Sequence, residues 1–140
     1  MRFFILISLG LLTSCQSNEN ELPLANRWYT QSQVTLGSAI YKKSCMVCHG
    51  VKAQSVSSWR TPLPDGSYPP PPLNGTAHTW HHSRAKLKEI ITQGNRRLDG
   101  KMPAFKHKLN AGEIEAVIAY VQTLWPEPIY QQWIARGGLE

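Results

Sequence analysis

Two thiols and an imidazole stand close together in the pentapeptide Cys45-Met46-Val47-Cys48-His49. On a helical turn these are positions i, i+3 and i+4, so all three side chains project toward one side. That pattern suits covalent attachment of a c-type haem: the thiols add to two vinyl groups, and His49 reaches the iron as proximal ligand. Three other chemistries compete for a Cys-x-x-Cys. A thioredoxin-like redox pair wants a strand before it, whereas the residues before Cys45 read as an amphipathic helix. A zinc site wants a fourth soft ligand, and the one remaining cysteine, Cys15, is taken up by the lipidation described below. A disulfide spanning only two residues is strained.

A six-coordinate iron needs a second axial ligand. Of three methionines, Met1 leaves with the N-terminal signal and Met46 lies inside the haem-binding turn itself. Met102 remains, in the turn Asp99-Gly100-Lys101-Met102-Pro103-Ala104-Phe105. A thioether is a soft ligand that favours Fe(II) and raises the reduction potential. Pro103 biases Met102 toward an extended backbone and stiffens the turn. The competing readings are a buried core methionine for Met102 and ligation by His78, His81, His82 or His107, which would lower the potential.

These groups need helices to hold them. A helix from Gln33 to Cys45 carries Val34, Gly37, Tyr41 and Cys45 along one stripe, and Gly37 admits a close neighbour. Asn110-Ala111-Gly112-Glu113 has capping-box form, and Ile114, Val117, Ile118, Val121, Leu124 and Trp125 follow at helical spacing up to Pro126. Between them Ser83 to Gln93 reads as a helix, with Ser83 as N-cap, Leu87, Ile90 and Ile91 inward, and Gly94 just past its end. The stretch 59–72 holds Pro62, Pro64, an Asp65-Gly66 turn and the run Pro69 to Pro72, so it is no helix.

Composition narrows the class. The chain has 140 residues, three cysteines, 41% hydrophobic residues and a formal charge of +6. That excludes a multi-span membrane protein and a disulfide-dense scaffold, and points to one domain. Met1-Arg2 precedes an apolar run, Phe3 to Leu12, of about ten residues, too short for a spanning helix of roughly 20. It reads as an export signal. Leu12-Thr13-Ser14-Cys15 resembles the lipobox of bacterial lipoproteins, which implies cleavage before Cys15, lipidation there and a membrane anchor. The expected organisation is a signal over 1–14, a lipidated tether and aromatic strap over 15–32, a domain over 33–125 and a tail over 126–140.

Over most of 33–125 the chain resembles a class I monohaem cytochrome c. The helix into Cys45, the Cys-x-x-Cys-His, the Pro72-Leu73-Asn74-Gly75 stretch, the Met-Pro loop and Ala119-Tyr120-Val121 come in the family's order. The segment Gly75-Thr76-Ala77-His78-Thr79-Trp80-His81-His82 and the Met102-Pro103-Ala104-Phe105 loop narrow the resemblance to small bacterial cytochromes with these features. It implies an all-α fold, three to five helices and proline-rich loops wrapped around one covalently attached haem c. It also implies that Gly37 and Tyr41 meet Val117 and Tyr120, that a carbonyl near Pro71 accepts the His49 Nδ1–H, and that Leu73 packs on the haem face.

Trp80, His81 and, less directly, His82 and Arg60 are candidate donors to the haem propionates; the competing reading is a packed indole beside solvated imidazoles. Eight basic residues, Arg84, Lys86, Lys88, Arg96, Arg97, Lys101, Lys106 and Lys108, face only Glu89 and Asp99 in the same stretch. They predict a basic sector around Met102 that steers an acidic partner, or else a solvated basic face. An exported chain is a poor nucleic-acid binder. The expectation is a monomeric, non-enzymatic single-electron carrier in the cell envelope, lipid-anchored and facing the periplasm. Its rivals are a haem enzyme subunit or ligand sensor with a labile sixth position, and a haem-free metal-delivery lipoprotein using Met and His.

Overall fold

A computed structural model describes residues 21–95 and 100–140. The export signal, Cys15 and the basic pair Arg96 and Arg97 lie outside the described residues. Helix α1 spans Gln31–Ser44, α2 is the single turn Met46–His49, α3 spans Arg84–Gln93, α4 Ala111–Thr123 and α5 Glu127–Ala135. A one-turn 3-10 helix, Thr79–His81, precedes α3, and no strand occurs among the described residues. The all-α expectation therefore holds, with five α-helices among the described residues. None of the described helices is long and apolar enough to cross a membrane.

Local capping sets the helix starts. Asn110 and Glu113 form the reciprocal capping box foreseen at the start of α4, and Ser83 accepts from the Lys86 N–H at the start of α3. Helix α1 begins two residues earlier than its apolar stripe predicted. Thr30 and Gln33 make a second capping box, which fixes the first turn through polar residues.

The core is the crossing of α1 and α4, closed by α5. Gly37 is the point of closest approach: a Cβ there would stand 2.5 Å from the Ala116 carbonyl carbon and 2.9 Å from Tyr120 Cβ. The nearest atoms across Gly37 belong to Ala116 and Tyr120, and Tyr41 meets the Tyr120 ring at 5.2 Å as expected. Tyr29, Tyr41, Ile118, Tyr130 and Trp133 are all but fully buried in this core. The presence of Tyr130 and Trp133 revises the boundary at 125. The stretch 126–140, expected as a tail, is mostly α5 and shares the core with α4.

The aromatic strap packs as anticipated. Trp28 Nε1 donates to Gln122 Oε1 at 2.6 Å, Tyr29 is buried, and Arg27 lies 4.1 Å over the Tyr130 ring while pairing with Glu127. Helix α5 in turn holds the centre of the chain, because Trp133 Nε1 donates to the His82 carbonyl at 2.8 Å.

Candidate functional site

Helix α1 ends where the cysteines begin. Cys45 closes α1, donating its N–H to the Tyr41 carbonyl, and opens α2. Its own carbonyl accepts from the His49 N–H at 2.9 Å, so Cys45, Cys48 and His49 share the side of one helical turn. Gly50, at φ +83°, stops the turn, and the buried Tyr41 hydroxyl donates to the Gly50 carbonyl at 2.7 Å. The α1 core residue Tyr41 thereby fixes the far end of the site turn. Cys45 is half-buried, Cys48 is exposed, and they form no disulfide. Burial, with the Cys48 thiol beside it, pushes the Cys45 thiol up to about 11.

The His49 ring is buried, and its Nδ1 lies 2.9 Å from the Pro71 carbonyl oxygen. A carbonyl only accepts, so Nδ1 carries the proton and Nε2 keeps a lone pair. Burial also lowers the imidazole pKa, against the opposing pull of the Pro71 carbonyl, and favours the neutral ring. A neutral imidazole with a free Nε2 is the form that ligates a metal.

Pro71 belongs to a spine of acceptors. Prolines lack an N–H, so the run Pro69 to Pro72 can engage its surroundings only through carbonyls. Ser55 Oγ donates to the Pro70 carbonyl, His49 Nδ1 to Pro71, Thr79 Oγ1 to Pro72 at 3.0 Å and Trp125 Nε1 to Leu73 at 2.7 Å. Four successive carbonyls thus tie four separate segments, and Leu73 is held half-buried with its N–H on the Ala53 carbonyl. Sequence reading reached the Pro71 acceptor. The donors Ser55, Thr79 and Trp125 carry no local signal, since each reaches its carbonyl only through the tertiary fold.

Met102 is half-buried on the loop after α3. Gly94, at φ +73°, ends α3; a Cβ there would stand 2.6 Å from the Met102 carbonyl oxygen and 2.8 Å from the Ala104 nitrogen. The Asn95 N–H donates to the Met102 carbonyl, and the Phe105 N–H to Ile91. The Met-Pro loop is therefore laid directly on the end of α3, and Phe105 is buried beneath it.

Trp80 and His81 stack edge to face at 4.1 Å, with Arg136 5.0 Å over the Trp80 ring. His81 and His107 are exposed. The indole N–H groups of Trp28, Trp125 and Trp133 are bonded within the chain, whereas those of Trp59 and Trp80 meet no protein acceptor among the described residues. His78 and His82 stand 6.2 Å apart, with Trp59 5.6 Å from His78 and Arg60 over Trp59. Sequence reading did not foresee that grouping. Burial first, and neighbouring positive charge second, lower the pKa of both imidazoles.

The donor set fits a covalently held haem. It offers two unbridged thiols, a neutral imidazole with its outer nitrogen available, and a thioether on a braced loop. No group of three His, Cys, Asp or Glu residues among the described residues could hold a metal ion, which leaves a zinc site without its ligands. No curated protein and no solved structure is significantly similar to the chain. The family model described as cytochrome c oxidase, cbb3-type, subunit III, matches residues 32–121, from the first turn of α1 to the last turn of α4. The chain belongs to that family, a c-type cytochrome domain whose chemistry is haem-based electron transfer.

Proposed function

We propose that the chain is a single-electron carrier of the bacterial cell envelope, monomeric, anchored by lipid at Cys15 and facing the periplasm. In this reading 1–14 is the removed signal and residues 15–32 are the lipidated tether and aromatic strap that lead from the anchor to the domain. One haem c is held by Cys45 and Cys48, with His49 and Met102 as axial ligands and Leu73, Trp80 and His81 around the group. When bound, the haem supplies one-electron exchange between Fe(III) and Fe(II). The chain holds the proton on His49 Nδ1, which leaves the Nε2 lone pair for the iron, and braces the Met102 loop on Gly94. Trp80, with its indole N–H unengaged, is a suitable donor to a propionate.

The observation that carries the reading is the His49–Pro71 hydrogen bond, because a proton on Nδ1 leaves Nε2 as the ligating nitrogen. The test is spectroscopic. A pyridine haemochrome assay should give one haem per chain with both cysteines intact, and none in the Cys45→Ala/Cys48→Ala variant. The ferric protein should show the weak red sulfur-to-iron charge-transfer band, lost in Met102→Ala. Haem-free protein would overturn the reading, and a band that survives Met102→Ala would remove Met102 as ligand.

A second reading, as a haem-bearing subunit of an oxidase, is favoured by the description of the matched family. It predicts a labile sixth position, so carbon monoxide would bind the ferrous protein readily, whereas a carrier with Met102 in place resists it. Acidic redox proteins are the partners that fit the basic chain under either reading.

A further inference from the structure

The one-turn 3-10 helix Thr79–His81 is bracketed by two imidazoles, His78 before it and His82 after it. The fold holds this turn through its backbone and through Thr79. The His81 N–H donates to the His78 carbonyl at 2.9 Å, and the His82 N–H to that of Thr79 at 3.2 Å. Thr79 Oγ1 is tied to the Pro72 carbonyl, and the His82 carbonyl accepts from Trp133 Nε1. Both rings are left out of these bonds. Among the described residues only His49 uses a ring nitrogen in a hydrogen bond. His78 is exposed and His82 half-buried, so solvent reaches the pair.

Burial, followed by neighbouring cationic groups, lowers the pKa of both rings below the usual imidazole value. At neutral pH each therefore keeps a lone pair, the form of histidine that ligates metals. The cations nearby are occupied: Lys86 pairs with Glu89, and the Arg60 guanidinium lies over the Trp59 ring. Spacing decides between metals. An ion about 2.0–2.1 Å from a ligating nitrogen stands roughly 3.2 Å from the ring centre, so two rings on a tetrahedral ion are about 5.2 Å apart and two on opposite sides of an ion about 6.4 Å apart. The His78 and His82 ring centres are 6.2 Å apart. That fits opposite corners of a square-planar ion, the geometry of Cu(II) with nitrogen and oxygen ligands, better than tetrahedral zinc. The absence of a third His, Cys, Asp or Glu ligand among the described residues points the same way, because a structural zinc needs four.

We propose that His78 and His82 form a binding site for one Cu(II) ion, held between the two imidazoles with water in its remaining positions. The site uses none of Cys45, Cys48, His49 or Met102, so it loads independently of the iron. Trp59, 5.6 Å from His78, and the Trp80–His81 pair, closed on itself at 4.1 Å, flank it.

The test uses the untagged, haem-loaded full chain, titrated calorimetrically with cupric chloride in a non-coordinating buffer. Wild type should bind one Cu(II) per chain, and Zn(II) at least tenfold more weakly. His78→Ala and His82→Ala should each weaken Cu(II) at least tenfold. Both leave the backbone bonds of the turn intact, and unchanged far-UV dichroism would verify it. His107→Ala, which removes an exposed imidazole elsewhere, should bind within about twofold of wild type. The cupric paramagnetic resonance spectrum should show coupling to two imidazole nitrogens, falling to one in either single variant. No copper bound by wild type, Zn(II) bound as tightly as Cu(II), or a larger loss in His81→Ala or His107→Ala would overturn the proposal. So would loss of the sulfur-to-iron band in His78→Ala or His82→Ala, which would assign these imidazoles to the haem pocket.

Discussion

Gly37→Ala sets two effects of opposite sign against each other at the α1–α4 crossing. In an exposed helix the exchange stabilises by about 1 kcal/mol, because alanine has less backbone entropy to lose. At Gly37 the new methyl would stand 2.5 Å from the Ala116 carbonyl carbon and 2.9 Å from Tyr120 Cβ, and closer still to the Ala116 oxygen. Ordinary carbon contacts lie at about 3.5–4.0 Å, so the helices must separate by roughly 1 Å. Ala116 offers backbone, which cannot rotate aside as a side chain would. A gap of that size forfeits about a quarter to a half of each dispersion contact across the crossing, the Tyr41–Tyr120 pair included. Overpacking of this kind costs about 1–3 kcal/mol, with the upper end expected against backbone. The expected net is a loss of about 2 kcal/mol, or roughly 5–10 °C in Tm. Gly112→Ala is the matched control. Its nearest contact would be Asn110 Oδ1 at 3.4 Å, so the same exchange should stabilise by roughly 0.5–1 kcal/mol. Urea melts of the haem-loaded protein, followed by far-UV dichroism, should show the two midpoints moving in opposite directions at constant m. A Gly37→Ala protein as stable as wild type would mean that α1 and α4 do not touch through backbone, and the crossing described above would be wrong.

Three further outcomes are expected. Trp133→Ala removes an indole that is 1% exposed, together with its bond to the His82 carbonyl, and should cost about 3–5 kcal/mol in the same melts. Thr30→Ala deletes half of the α1 capping box and should cost about 1 kcal/mol, whereas Thr30→Ser should be nearly silent. The Asp65 carboxyl is held well below the usual carboxylate range, first by Lys101 and then by the Ser67 hydroxyl and N–H. Its contribution to stability is therefore present above the ordinary carboxylate pKa of about 3.9 and lost as pH falls below it. Carbon-detected NMR titration should find Asp65 still ionised where exposed carboxyls have protonated, with the difference shrinking in high salt or in Lys101→Ala.

What the sequence made legible was mostly local. The caps Ser83 and Asn110 and the stop at Gly94 each depend on residues within one turn, and they lie where the spacing predicted. The start of α1 was equally local, but its first turn, Gln31-Ser32-Gln33, is polar and shows no apolar period. Reading by the stripe from Val34 therefore placed the start late. Helix α5 announced itself weakly: Tyr130, Trp133 and Ile134 have helical spacing, yet nine residues interrupted by Gln131 and Gln132 resemble a polar tail. The site divided the same way. Cys45, Cys48 and His49 are adjacent in sequence, and one turn of helix suffices to align them. The partners of the long-range backbone carbonyls are not adjacent. Trp125 bonds Leu73 and Trp133 bonds His82 across more than fifty residues, and no local pattern encodes such a pairing. The charge pattern shows the same limit, since Glu115 and Asp65, outside the basic stretch in sequence, pair with Arg84, Lys88 and Lys101 only in the fold.

The aromatic strap has a mechanical consequence. Before the chain enters α1 it is fastened by Arg27 to Glu127 and the Tyr130 ring, by Trp28 to Gln122, and by the Arg84 guanidinium lying 4.7 Å over the Trp28 indole. A pull on the N-terminal end therefore loads α3, α4 and α5 together before it reaches the helix that carries the cysteines. The strap works as a strain relief, as on a cable entering a housing. Forced unfolding from that end should begin with these fastenings giving way, and their rupture should leave the Cys45–His49 turn in place until α1 itself is drawn off α4.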